Sequence, residues 1–156
     1  MSFILLTITN NTTGGEPVSM QNIRGASEIA KRYHKPLIID SARFAENAYF
    51  IKTREPGYAT KSIAEIVHEV YSHADGMTMS ARKDAIVNMG GILAIHHADW
   101  YEQASVYCVM HEGFVTYGGL SGRDMEALRV GLEEGMDFEY LTTRIHQIVF
   151  FCAAAR

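Results

Sequence analysis

The chain predicts an α/β fold, and three features carry that expectation. Short apolar runs of strand length recur at residues 3–8, 37–39, 77–79 and 92–95. Segments with apolar residues at helical spacing lie between and after them. Proline and glycine punctuate the joins, so the pattern reads as strands alternating with helices rather than as all-β or all-α.

Residues 3–8 are rich in Ile and Leu and end on Thr9-Asn10-Asn11. Residues 9–17 hold Asn-Asn, Gly14-Gly15 and Pro17, which makes them a loop. Over residues 18–33 the apolar positions Val18, Met20, Ile23, Ile29 and Ala30 fit a helix, interrupted at Gly25. Lys35-Pro36 breaks that pattern, and Leu37-Ile38-Ile39 forms the next strand. Such a βαβ unit implies parallel strands with a right-handed crossover. Residues 44–54 predict a helix, closed by Pro56-Gly57. Ser62-Ile63-Ala64-Glu65 is a capping box, in which the serine and glutamate satisfy the free N–H groups of a helix start; that helix runs to about His73. Residues 77–79 and 92–95 are two further strands, joined through Lys83 and Gly90-Gly91. Helices over 99–111, 121–132 and 138–155 close the chain, with a loop at 113–119.

Composition narrows the function. The 156 residues suffice for one domain with a core, and 47 % hydrophobic and 21 % charged residues are ordinary for a soluble protein. A net charge of −4 argues against a general nucleic-acid binder. No run approaches the roughly 20 apolar residues of a membrane span, and the N-terminus has no signal-peptide pattern. The expected location is the cytoplasm. Cys108 and Cys152 stand far apart, the seven histidines show no paired ligand spacing, and neither G-x-G-x-x-G nor a P-loop occurs. The first strand-like run starts at Phe3 with no lead-in and the last apolar segment runs to Ala155, so a piece of a larger protein is expected.

Polar residues stranded at the ends of apolar runs are the candidates for chemistry. The first strand delivers Asn11, the second Asp40 and Arg43, the third Ser80 and Lys83. Open α/β sheets bind ligands at the carboxyl ends of their strands. An acid, a lysine and an arginine gathered there suit pyridoxal phosphate (PLP) better than other common cofactors. Each residue also has a plainer reading. Lys83 is either a solvated turn residue or a Schiff-base lysine. Asp40 is either a cap after a strand or the acid that keeps a pyridine nitrogen protonated. Arg43 is a surface cation or a donor to a phenolic oxygen. Ser80 caps a turn or binds phosphate, and Asn11 belongs to turn chemistry or donates to a ring or carboxylate.

Taken in order, the motifs resemble a known family. Asn10-Asn11-Thr12-Thr13-Gly14-Gly15-Glu16-Pro17-Val18-Ser19, then Asp40-Ser41-Ala42-Arg43-Phe44 followed by AENAYFIK, then Ser80-Ala81-Arg82-Lys83-Asp84, then Tyr117-Gly118-Gly119-Leu120, are similar to tryptophanase (tryptophan indole-lyase) and tyrosine phenol-lyase. The resemblance runs over nearly the whole chain. It implies part of a PLP-dependent transferase fold-type I large domain, a mostly parallel sheet flanked by helices. It implies Lys83 as the Schiff-base lysine, Asp40 on the pyridine nitrogen, and Arg43 at the cofactor's O3′. Asn11 would face O3′ or the substrate carboxylate, and Ser80 the phosphate. It further implies a monovalent cation such as K+ on the backbone carbonyl of Asn88, a tyrosine near a subunit interface at Tyr117, and a homo-oligomer.

The substrate implied is an aromatic amino acid. The DSARFAENAYFIK stretch is similar to tryptophanases, whereas KSIAEIVHEVYSHADG and GRDMEAL resemble tyrosine phenol-lyases; the stretch around Asp40 lies nearer the chemistry and favours tryptophan. Two departures stand out. Arg82-Lys83 replaces the family's Lys-Lys, keeping charge but not geometry. Residues 1–156 also correspond to a single partial large domain, without the family's N-terminal segment and small C-terminal domain. A truncated product without turnover is therefore the competing expectation.

Overall fold

The computed structural model describes residues 3–114, 116 and 119–155. Four strands form one sheet in the order β1-β2-β3-β4, with β1 Ile4–Thr7, β2 Leu37–Asp40, β3 Gly76–Ser80 and β4 Gly91–Ile95. The helices are α1 Met20–Arg32, α2 Phe44–Arg54, α3 Ile63–Ser72, α4 Ala98–His111, α5 Gly122–Glu134 and α6 Phe138–Ala154. Every predicted element is present within a few residues of its expected bounds. Among the described residues a 3-10 turn, Asn11–Thr13, is added inside the first loop.

Strands β1, β2 and β3 run parallel, and β4 pairs antiparallel to β3. The connection lengths explain the difference. Helices α1 and α2–α3 supply crossovers long enough to return the chain for parallel pairing. The loop from Ala81 to Gly90 is too short for a crossover of a dozen or more residues, so β4 must fold back. Successive right-handed crossovers in one direction put their helices on the same face of the sheet. The core accordingly gathers Ile8, Ile39 and Met79 from the sheet side, Met20 and Ile23 from α1, Phe44, Ala45, Ala48 and Ile51 from α2, Ile63, Ile66 and Val70 from α3, and Leu141 from α6.

The other sheet face is much barer. Directly paired residues share a face, and alternate residues along a strand do too. Leu5, Ile38, Gly76 and Ile95 are cross-strand neighbours, and Thr7, Asp40, Thr78 and Leu93 form the next row. Leu5 and Leu93 on this face are each 54 % exposed, whereas Leu37 and Ile39 on the core face are fully buried.

Helix starts are well specified. Ser62 accepts from Glu65 N while the Glu65 carboxylate accepts from Ser62 N, which is the predicted capping box. Ser19, Ser121 and Asp137 cap α1, α5 and α6 with their own side chains, accepting from the backbone N–H of Asn22, Asp124 and Tyr140, without the reciprocal bond. Helices α2 and α4 differ, because their N-cap residues, Arg43 and His97, make no side-chain capping hydrogen bond. Among the described residues, no helix is long and apolar enough to cross a membrane.

Candidate active site

Parallel pairing of β1, β2 and β3 brings their carboxyl ends to one edge, with Thr7 beside Asp40 and Asp40 beside Thr78. The strand ends from which the three polar clusters follow therefore lie side by side. Asp40 ends β2 with its side chain on the barer face. Its Oδ2 lies 3.5 Å from Thr7 Oγ1, the same-face neighbour on β1. The next residue, Ser41, points the other way and is buried; its hydroxyl donates to Thr78 O and accepts from Tyr71 OH of α3. Burial pushes the Tyr71 phenol up to about 12, against the smaller opposing pull of its bond to Ser41. Tyr71 is thus a fixed neutral donor behind the strand.

Lys83 sits in the β3–β4 loop, and its Nζ donates to Ser80 Oγ at 2.9 Å. Ser80 is two residues beyond Thr78, the register partner of Asp40. Alternation along a strand puts Thr78 and Ser80 on one face. Amine, hydroxyl and carboxylate consequently share the bare face at the carboxyl edge. Each is partly exposed.

Arg43 follows at the start of α2. Its Nη1 donates to Thr9 O at 3.4 Å, and its Nε is 3.6 Å from Glu46 Oε2. Thr9 lies in the left-handed region at φ 49°, held there by hydrogen bonds from its hydroxyl to Arg43 O and to Asn47 Oδ1. Fully buried Asn47 also binds both Val18 N and Val18 O. It pins both ends of the loop that carries Asn11. Asn11 itself is exposed on the 3-10 turn beyond β1.

The residues that sequence reading passed over lie behind Lys83. Asp84 is 1 % exposed, and its Oδ2 accepts from Ala45 N at 2.8 Å and Glu46 N at 2.9 Å. It caps α2 from another part of the chain. Its Oδ1 has no hydrogen-bond partner, with Arg144 Nη1 at 3.8 Å. Arg144 also pairs with Glu46 Oε1 at 3.0 Å. Burial pushes the Asp84 carboxyl up to about 6; the Glu46 charge pushes the same way, and the two backbone N–H groups and Arg144 oppose. One signal was available in advance: a helix beginning on arginine has no cap of its own and needs one from elsewhere.

The donor set fits PLP. A carboxylate suits a protonated ring nitrogen, a guanidinium a phenolate oxygen, and an amine beside a hydroxyl suits an aldehyde near a phosphate. Asn88 is exposed in the β3–β4 loop, and Tyr117 lies outside the described residues. An open groove of about 450 Å³ occupies the opposite end of the sheet, lined by Lys35, Pro36, Leu37, Asp75 and Trp100 among others, and holds none of the predicted site residues.

Residues 1–152 match the family described as Beta-eliminating lyase. A Trichomonas vaginalis protein named Probable beta-eliminating lyase is 60 % identical over 148 residues, covering 95 % of this chain and 32 % of the relative. A tryptophanase from Salinibacter ruber is 57 % identical, covering 91 % and 30 %. A tyrosine phenol-lyase from Lacrimispora saccharolytica is 49 % identical, covering 94 % and 31 %. The chain spans about a third of the length of these relatives. Among solved structures, an Exiguobacterium sp. 255-15 protein named as an aromatic amino acid beta-eliminating lyase/threonine aldolase superposes with a TM-score of 0.64 at 21 % identity, covering 88 % of this chain and 35 % of the other. That likeness bears out the expected α/β, fold-type I class.

Proposed function

The chain belongs to the beta-eliminating lyase family, and from that premise we propose PLP-dependent β-elimination of an aromatic amino acid, with L-tryptophan and water giving indole, pyruvate and ammonia. The observation that carries this reading is the shared sheet face: Lys83 Nζ is held on Ser80 Oγ, one strand over from Asp40.

PLP, which the family implies, supplies when bound an aldehyde for the amino group and a ring that accepts electron density from Cα. Lys83 Nζ is the group that moves the proton, taking it from the substrate Cα as a free amine. Ser80 Oγ orients that amine and offers a hydroxyl to a phosphate oxygen. The Asp40 carboxylate would hold the ring nitrogen in its protonated form, with Thr7 steadying the carboxylate. Arg43, anchored by Thr9 O and Glu46, would supply positive charge to the phenolic oxygen. Asn11 contributes a neutral amide to O3′ or the substrate carboxylate, and Asn88 a carbonyl to a monovalent cation such as K+. The same proposal includes a cytoplasmic location and a homo-oligomer.

L-tyrosine, yielding phenol, is the second reading, favoured by residues 61–76 and 122–128 and by the tyrosine phenol-lyase relative. The test uses the purified 156-residue chain with PLP and borohydride, followed by peptide mass spectrometry. Label fixed on Lys83 and lost in Lys83→Ala is the expected result; label spread evenly over other lysines overturns the assignment. Indole from tryptophan, or phenol from tyrosine, then decides the substrate. Label without either product identifies a binding piece that lacks turnover, consistent with a chain spanning about a third of its relatives' length.

A further inference from the structure

The most unusual joint in this molecule lies directly behind Lys83. Helix α2 starts with Arg43 at its N-cap, a residue with no side-chain acceptor, and so leaves first-turn N–H groups to be satisfied from outside. Asp84 does this across a large sequence separation. Its Oδ2 takes Ala45 N and Glu46 N, and its own N–H donates to Ala42 O at 3.3 Å. These three hydrogen bonds tie the residue after Lys83 to the segment that leaves Asp40 and carries Arg43.

A second contact closes the joint from behind. A side-chain carbon at Gly131 would collide with Ala85 O, and one at Gly135 with Asp84 O. The two glycines stand one turn apart where α5 ends, and they let its backbone press on the peptides that follow Lys83. Charge links the same parts: Arg144 of α6 bridges Asp84 and Glu46, and Glu46 reaches Arg43. Residue 84 thus ties the Lys83 loop to the start of α2, and that loop makes no other hydrogen bond to α2 among the bonds described.

We propose that Asp84 is a positioning residue, a cap supplied from a distant part of the chain that locks the Lys83 loop to the start of α2 and so fixes Lys83 against Asp40 and Arg43. This inference rests on Lys83 being the lysine that takes PLP. The effect is geometric, so an acceptor of the same shape should replace the carboxylate. Asparagine keeps an oxygen at Oδ and serves as a good cap; alanine removes it.

Two measurements on the 156-residue chain test it, for Asp84→Asn and Asp84→Ala. The first is borohydride trapping of PLP at Lys83, normalised to folded protein by circular dichroism. Asp84→Asn should stay within about threefold of the parent, and Asp84→Ala should fall about tenfold or more, as small misplacements of a reacting group do. The second is amide hydrogen exchange without cofactor. In Asp84→Ala, peptides over 42–48 and 80–86 should lose protection together, while 63–72 stays as in the parent. Should the alanine variant fail to fold, Asp84→Ser, whose oxygen is too short to reach both amides, is read in its place. Unchanged trapping in the alanine variant, or faster exchange in only one of the two segments, overturns the proposal. Parent protein that takes no label at Lys83 sinks the lyase reading instead, and the exchange measurement alone then decides whether Asp84 locks the loop.

Discussion

Glu69 and Asp84 are carboxylates withdrawn from water, and their partners drive them in opposite directions. Burial alone would raise Glu69, but hydrogen bonds from Lys61, Tyr58 and Arg24 outweigh it and hold the carboxyl down at about 2. Lys61 Nζ lies 2.7 Å and Tyr58 OH 2.8 Å from its oxygens. A depressed folded value means stability that is complete above the ordinary 4.5 and is lost as pH falls towards 2. The upper bound is about 3 kcal/mol at ~1.4 kcal/mol per unit. Glu69→Gln should therefore destabilise by about 1–3 kcal/mol in urea titrations at pH 7 and flatten the acid limb. Asp84 has the reverse sign. Its value of about 6 lies above the ordinary 3.8, so the folded state binds the extra proton. Its stabilisation is present below about pH 4 and fades as pH rises through 6, again by about 3 kcal/mol at most. Asp84→Asn should remove that slope between pH 4 and 6 while keeping the cap. A variant with the parent's slope would show that another group titrates there.

Helices α2 and α3 are neighbours with contrasting starts. The α3 start is local: serine and glutamate three residues apart satisfy each other's backbone, with Ser62 N to Glu65 Oε2 at 2.6 Å. Ser62→Ala should cost about 1 kcal/mol, read as a lower urea midpoint with an unchanged slope, and should leave trapping at Lys83 untouched. The α2 start is distant, because its cap arrives from residue 84. Damage to that cap should appear at Lys83 as well as in stability. The same contrast separates the strands. β2 is flanked on both sides and buries Leu37 and Ile39, whereas β1 and β4 are sheet edges with Leu5 and Leu93 half exposed.

Across the molecule, apolar surface remains uncovered. Tyr101, Val106, Tyr107 and Met110 on α4 and Ile148 to Phe151 on α6 are exposed, Phe150 and Phe151 by 69 % each. Large apolar side chains left in water favour association. Sedimentation of the 156-residue chain should show concentration-dependent self-association that Phe150→Glu with Phe151→Glu reduces; an unchanged profile would exclude α6 from the contact. Much of this architecture was legible in the residues. Apolar runs, Pro36, Gly57 and the Ser62-to-Glu65 box are local signals, and local signals place elements because they act over one or two turns of chain. The ends of those runs also singled out Asn11, Asp40, Arg43, Ser80 and Lys83 as candidates, since parallel strands share a carboxyl edge. What the sequence could not contain is the pairing of groups far apart in the chain. Only the folded structure decides that Lys83 rests on Ser80 on the face shared with Asp40 and that Asp84 caps α2, because each depends on distances set when separate elements pack against one core.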